Sequence, residues 1–373
     1  MIISDLKTTA RQTRNWQSAL SRRSQISSQL FDKRYERLSG WHVWSADAGW
    51  AGAALATFGT DGFTSTPIAN VSHVVPFAQV VQPDDKIIVV GYAGFNADTT
   101  SDLLLVRYNA DGSLDQTFGT GGIVLVDYPA APYHQTYAAA LQPDGKILVF
   151  GSLGGVGGDP LVLFRFNSDG SPDTTFGDDG VVYDHFGTND YPRDVAVQPD
   201  GKIVVAGAHD NGDASNRSTF VIRYNADGTR DTSFANDGLF TENFGSSDSI
   251  ANSIALEPDS RILLGGSIYD GTQHDLALWL LNTDGTLNTD FGTKGSLITD
   301  VGSDSGIDTI ILSCHSKLIA DAGDTGGQWS LVQYAGQQLY TYQGTSPLTA
   351  GSLSISPGPQ QFQPDCPPVN SSP

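Results

Sequence analysis

Carboxylate and carboxamide side chains recur in this sequence at a spacing that oxygen-seeking cations can use: Asn109, Asp111 and Asp115; Asn167, Asp169 and Asp173; Asn225, Asp227 and Asp231; Asn282, Asp284 and Asn288. A calcium loop of the EF-hand kind also needs a bidentate Glu at its twelfth position, which is missing here. Asn and Asp that hydrogen-bond their own backbone give the same pattern in any tight turn. The segments are therefore read as turns, with calcium as the lesser alternative, and no cofactor is expected. The Gly-rich stretch 151–158 (GSLGGVGG) lacks the GK[ST] ending of a phosphate loop and leads into a strand, so it reads as a loop. HExxH, GxSxG and CxxC are absent. His134, His209 and His274 fall in variable segments, where an isolated His is ordinarily just solvated.

A pair of acids could hydrolyse glycosides, and with 41 Asp and Glu some pair will lie close by chance. The candidate inner strands are apolar or small (VVPFAQVV, YAAAL, DVAVQ, SIAL, TIIL), with only Asp194 and Asp308 as acids near their starts. A non-enzymatic chain is expected on this ground.

The elements that position these residues come from a tandem repeat. QPDDK at 82, QPDGK at 142 and 198, EPDSR at 257 and a worn SCHSK at 313 are spaced by 60, 56, 59 and 56 residues. A second motif reads YNADGSLDQTFG from Tyr108, FNSDGSPDTTFG from Phe166, YNADGTRDTSFA from Tyr224 and LNTDGTLNTDFG from Leu281; its tail alone, TFGTDG, begins at Thr57. Each unit predicts four antiparallel strands A to D, with Pro-Asp-Gly turning A into B and Asn-x-Asp-Gly turning C toward D. The fold class is thus all-β, a five-bladed β-propeller of four-stranded blades over 57–344. Strands A to C occur five times, and the first D strand, 63–68, precedes them all. It is expected to close the fifth blade, although 339–342 could serve as that blade's own D strand.

The pairing of QPDGK with RYNADGSLDxTFG resembles the delta-60 repeat proteins over about three quarters of the chain. The resemblance implies a propeller-like repeat protein of bacterial or phage type. It implies no catalytic residues.

In a propeller the A-B and C-D turns share one face, and the B-C and D-A loops share the other. The first face repeats, whereas the second differs from unit to unit and is free to be shaped for a ligand. Its Phe95, Tyr133, His134, Tyr191, Arg193, Asp210, Tyr269 and His274 suit recognition of a sugar or a protein by stacking and hydrogen bonding.

Charge divides the chain. Residues 1–40 hold 8 Lys and Arg against 3 Asp and Glu, a balance of +5, which leaves −26 of the total −21 on the remainder. The acidic body disfavours nucleic acid and anionic membranes, no apolar run is long enough to span a bilayer, and the N-terminus lacks the apolar core of a secretory signal. Residues 1–45 read as a basic helical arm in which Trp16, Leu20, Arg22, Arg23, Leu30 and Phe31 anchor a protein partner; 46–56 is a linker and 345–373 an extended Pro/Ser-rich tail. Cys314 and Cys366 could form one staple or none. The expected function is a binding module displayed on a larger homo- or hetero-oligomeric assembly, such as a phage virion or tail, and recognising a surface glycan or protein. A secreted lectin-like propeller and a five-bladed propeller glycosidase are the alternatives.

Overall fold

Val, Ile, Leu and Phe alternate or run together between Gly, Pro, Asn and Asp turns, which forces short antiparallel strands joined by tight hairpins. The structure, a computed structural model, describes Trp41–Trp44 and, apart from short connecting segments, residues 58–344. The described residues are all-β. The first blade comprises β3 (His73–Val81), β4 (Ile87–Phe95), β5 (Thr100–Tyr108) and β6 (Ile123–Val126). The second comprises β7 (Tyr133–Leu141), β8 (Ile147–Gly154), β9 (Leu161–Phe166) and β10 (Val181–Asp184). β11 (Asn189–Val197), β12 (Ile203–Asp210), β13 (Ser218–Tyr224) and β14 (Leu239–Glu242) make the third, and β15 (Ser249–Leu256), β16 (Ile262–Tyr269), β17 (His274–Leu281) and β18 (Ser296–Thr299) the fourth.

Three expectations are corrected. Where five blades were expected, four sheets carry the repeat motifs; the sheet that follows, β19 (Thr309–Leu312), β20 (Lys317–Asp321), β21 (Trp329–Ala335) and β22 (Gln338–Gly344), has the same connectivity but only the worn SCHSK copy. That last sheet is also not closed by the early strand. β2 (Phe63–Thr66) pairs instead with β1 (Trp41–Trp44), while β21 pairs with β22 from Trp329↔Gly344 to Ala335↔Gln338. A hairpin between neighbouring segments closes a far shorter loop than pairing across the whole repeat, so its entropy cost is lower. Of the arm expected to be helical over 1–45, residues 41–44 are strand β1 rather than helix, because they pair with β2; the rest of the arm, the tail, Cys314 and Cys366 lie outside the described residues.

The core is a series of slabs between blades. One slab joins Val90, Leu105 and Phe118 to Val149, Val162 and Phe166; the next joins Leu148, Phe150 and Phe176 to Val205, Phe220 and Ile222; a third joins Val204, Val221 and Phe234 to Leu264, Trp279 and Leu281. Middle strands such as β12 are buried along their whole length because a neighbour covers each face. The short outer strands, such as β14, are half-buried or exposed.

The repeat motifs act mainly between blades. Phe118, Phe176 and Phe234 end the C-D connections and are fully buried. Each meets the Asn-x-Asp-Gly turn of the next blade: a Cβ on Gly170 would lie 2.9 Å from the Phe118 ring, and one on Gly228 2.9 Å from the Phe176 ring. Those glycines also stand at φ +88° and +91°, where a side chain is strained in any case. Backbone bonds follow the rings, with Gly119 donating to the Asp169 carbonyl at 2.8 Å and Gly177 to that of Asp227 at 3.0 Å. Arg107, Arg165 and Arg223 lie 4.5, 4.3 and 4.5 Å over those Phe rings. Each pairs with the acid of its own turn, as in Arg223 Nε to Asp231 Oδ2 at 2.7 Å, and donates to a carbonyl in the next blade, as in Arg223 Nη1 to Thr283 at 2.6 Å. In the fourth blade Leu280 and Asn288 replace both members of the pair. Removing both charges together avoids stranding one in the interior.

A second repeated device sits on the inner strands. β3, β7, β11 and β15 each contain a one-residue bulge, which leaves Phe77, Tyr137, Arg193 and Asn252 outside the pairing register. The residue before each bulge faces a glycine of the next strand, as Pro192 faces Gly207 and Ala251 faces Gly266. A Cβ there would approach the carbonyl oxygens of Tyr191 and Ile250 to 2.1 and 1.8 Å. The glycine in the middle of the strand that follows QPDGK is thus what admits the bulge.

Candidate functional site

The acidic turns direct their oxygens to their own chain. Asp111 Oδ1 accepts from the Ser113 backbone N–H at 2.9 Å and hydroxyl at 2.6 Å, and Asp169, Asp227 and Asp284 do the same with Ser171, Thr229 and Thr286. Asp115, Asp173 and Asp231 are buried, which alone would raise their carboxyls. Hydrogen bonds from Thr117, Thr175 and Ser233, with the adjacent Lys and Arg, hold them well below the usual carboxylate range. These contacts tie each turn to its own blade.

Of the variable loops, those of the third and fourth blades converge. Asp210 ends β12 fully buried. It accepts from Asn189 Nδ2 at 3.1 Å, the Tyr191 hydroxyl at 2.9 Å and the Gly212 N–H at 2.9 Å. Burial would raise its carboxyl, yet these donors hold it below its ordinary value. The Arg217 guanidinium lies 5.8 Å over the Tyr191 ring and grips buried Asp248 as a fork, Nε to Oδ1 at 2.9 Å and Nη2 to Oδ2 at 2.6 Å. His274 Nε2 reaches Asp248 Oδ2 at 3.3 Å, and its ring lies 5.2 Å from that of Tyr269. Tyr191, Arg217, His274 and Tyr269 are half-buried. The result is a platform of aromatic and cationic side chains held from beneath by two enclosed carboxylates.

Beside it the connection into β11 is organised by Asp190, which accepts from His185 Nδ1 at 2.9 Å, Phe186 N–H at 3.2 Å and Gly187 N–H at 3.1 Å. Burial pushes this carboxyl up. His209 faces Asp190 across the strand pair and packs its ring 5.1 Å from Phe186; burial pushes its pKa down, and neither ring nitrogen has a hydrogen-bond partner in the structure. It is a neutral, enclosed His rather than a solvated one.

The platform therefore gathers Tyr191, Asp210, Tyr269 and His274 from the sequence reading and adds Arg217 and Asp248, which that reading passed over. Their only sequence signal was a charge at the end of a variable loop. Arg193 does not join them. Its bulge turns it toward the second blade, where the guanidinium lies 5.8 Å over the Tyr137 ring. Phe95, Tyr133 and His134 lie in β4 and β7, but their side chains fall outside the described residues, as do all of Trp16, Leu20, Arg22, Arg23, Leu30 and Phe31.

The bulges make a second grouping, unforeseen apart from Arg193. Phe77 stacks on Tyr92 with centroids 5.6 Å apart and lies 6.2 Å from Tyr137, which in turn carries Arg193. Next to it Asp194 accepts from its neighbour Val195 N–H at 2.8 Å and, across the blade boundary, from Ile254 N–H at 2.7 Å and the Ser253 hydroxyl at 3.2 Å. Burial dominates over these donors and pushes its carboxyl up to about 6.

Comparison with known proteins matches this frame. Residues 82–118, 142–176, 198–234 and 257–291 match the family described as Domain of unknown function (DUF5122) beta-propeller. No curated protein matches in sequence. Among solved structures, the chain is similar to the PQQ-bound aldose sugar dehydrogenase of Streptomyces coelicolor, at 14% identity and a TM-score of 0.42 over 73% of this chain and 84% of that one. It is similar also to the polysaccharide lyase Uly1, at 10% identity and a TM-score of 0.39 over 75% and 69%, and to an endo-arabinase of Bacteroides thetaiotaomicron, at 11% and 0.35 over 73% and 93%. The expectation of a non-enzymatic module is withdrawn here: the solved structures similar to this chain include a dehydrogenase, a lyase and an arabinase. The sequence motifs, the sheets and the family match together support a propeller-like all-β repeat fold, with four segments that match the family.

Proposed function

We propose that this propeller engages carbohydrate through the loop platform of its third and fourth blades. The carrying observation is the continuous chain Tyr191, Arg217, Asp248, His274, Tyr269, in which half-buried rings and donors are locked by buried acids. Rings stack on the C–H faces of a pyranose, and Arg and His donate to its hydroxyls. Because the acids already hold these side chains in place, little rotamer freedom is lost on binding. The test is a glycan array on the full chain followed by calorimetry with Tyr191→Ala and Tyr269→Ala. Binding that is lost in both variants while the fold is kept supports the reading. Glycan binding unchanged in both defeats it.

Hydrolysis is a second reading, favoured by Asp194, which adjoins the Phe77, Tyr137 and Arg193 grouping and whose carboxyl burial pushes up to about 6. Reducing-end release that Asp194→Asn abolishes would support it; release unchanged by that substitution would discard it.

A further inference from the structure

The bulge positions stand apart from the rest of the repeat. Where the turns keep Pro-Asp-Gly and Asn-x-Asp-Gly, the four bulges carry four different large or polar side chains, Phe77, Tyr137, Arg193 and Asn252. The bulge itself is explained by the facing glycine, so folding does not dictate what occupies it. All four side chains are half-buried. They lie on the inner strands, each of which packs against the inner strand of the next blade, β3 on β7, β7 on β11 and β11 on β15. The first three are in sequence contact: Phe77 lies 6.2 Å from Tyr137, and the Arg193 guanidinium 5.8 Å over the same Tyr137 ring. Tyr92 backs Phe77 at 5.6 Å.

We propose that this ladder of bulge residues is a binding site for a pyranose ring that bears a carboxylate, as in a uronate or a sialic acid. The Phe77 and Tyr137 rings supply flat apolar faces for the C–H side of the sugar. A guanidinium stacked on Tyr137 presents a planar donor fork suited to a carboxylate, and stacking pre-orders it for that contact. Asn252, from the next inner strand, offers one donor group and one acceptor for a hydroxyl. The oxygens of the neighbouring Asp194 accept from Val195, Ile254 and Ser253. The inference extends the carbohydrate reading to a second place in the molecule and uses none of the platform residues.

The test is titration of the full chain with tetragalacturonate, with 3′-sialyllactose and with neutral cellotetraose, for the wild type and for Arg193→Gln, Tyr137→Leu and Tyr269→Ala. The wild type should bind an acidic sugar at least about tenfold more tightly than the neutral one. Arg193→Gln should remove that preference and Tyr137→Leu should weaken acidic-sugar binding by about tenfold, whereas Tyr269→Ala should weaken only the binding that the platform contributes. Which acidic probe binds identifies the source of the carboxylate. Saturation-transfer NMR on the wild type needs no variant: magnetisation should pass from protein aromatic protons to the acidic ring. Equal affinity for acidic and neutral probes, an unaltered preference in folded Arg193→Gln, or no transfer overturns the proposal. Loss of neutral glycan binding in Tyr269→Ala without any acidic preference would defeat this inference and leave the platform reading standing, whereas the opposite pattern would do the reverse.

Discussion

The contact between the third and fourth blades allows a quantitative test of how the repeat is held together. Asp231 Oδ2 receives Arg223 Nε at 2.7 Å and Lys202 Nζ at 2.8 Å, and both Arg223 and Asp231 are almost fully enclosed. Asp231→Asn leaves Arg223 buried without its anion and is expected to destabilise by about 3–5 kcal/mol. Arg223→Leu removes the charge-assisted bond to the Thr283 carbonyl and the contact with Phe234, but leaves Asp231 with Lys202, so about 2–3 kcal/mol is expected. The double variant reproduces the fourth blade, where Leu280 and Asn288 occupy these places. No charge is then stranded, and its loss should fall below the sum of the singles by about 2 kcal/mol. Equilibrium denaturation followed by circular dichroism and by tryptophan fluorescence measures all three. Effects that add to within about 0.5 kcal/mol would refute the coupled-pair account.

Three further outcomes are expected. Gly228→Ala places a Cβ at φ +91° and 2.9 Å from the Phe176 ring, and should lower stability by at least about 1–3 kcal/mol, read as a fall in melting temperature. Asp115, Asp173 and Asp231 have depressed carboxyls, so their stabilisation is present above about pH 4 and lost as pH falls through the depressed values; in a pH series, Asp231→Asn should flatten this acid limb. Asp194 has the opposite sign: its folded carboxyl titrates at about 6, so its contribution is full below about pH 4 and fades as pH rises through 6. That change is on the order of 3 kcal/mol, and Asp194→Asn should abolish it.

Much of the architecture is legible in the sequence because its causes are local. Pro-Asp-Gly and Asn-x-Asp-Gly set turn geometry within four residues, and the apolar runs between them specify strands whatever surrounds them. The same local chemistry identified the Asp-rich segments as turns, and the structure places their oxygens on the neighbouring Ser and Thr. Tertiary structure alone decided three things. Phe63–Thr66 pairs with Trp41–Trp44 rather than with the last sheet, because an edge strand accepts any suitable partner and proximity selects among them. Arg217 and Asp248 stand 31 residues apart and meet only when two blades pack. Arg193, which the sequence grouped with Tyr191, points elsewhere because a bulge after Pro192 shifts the register by one residue, and one residue is enough to send a side chain to the other side of a strand.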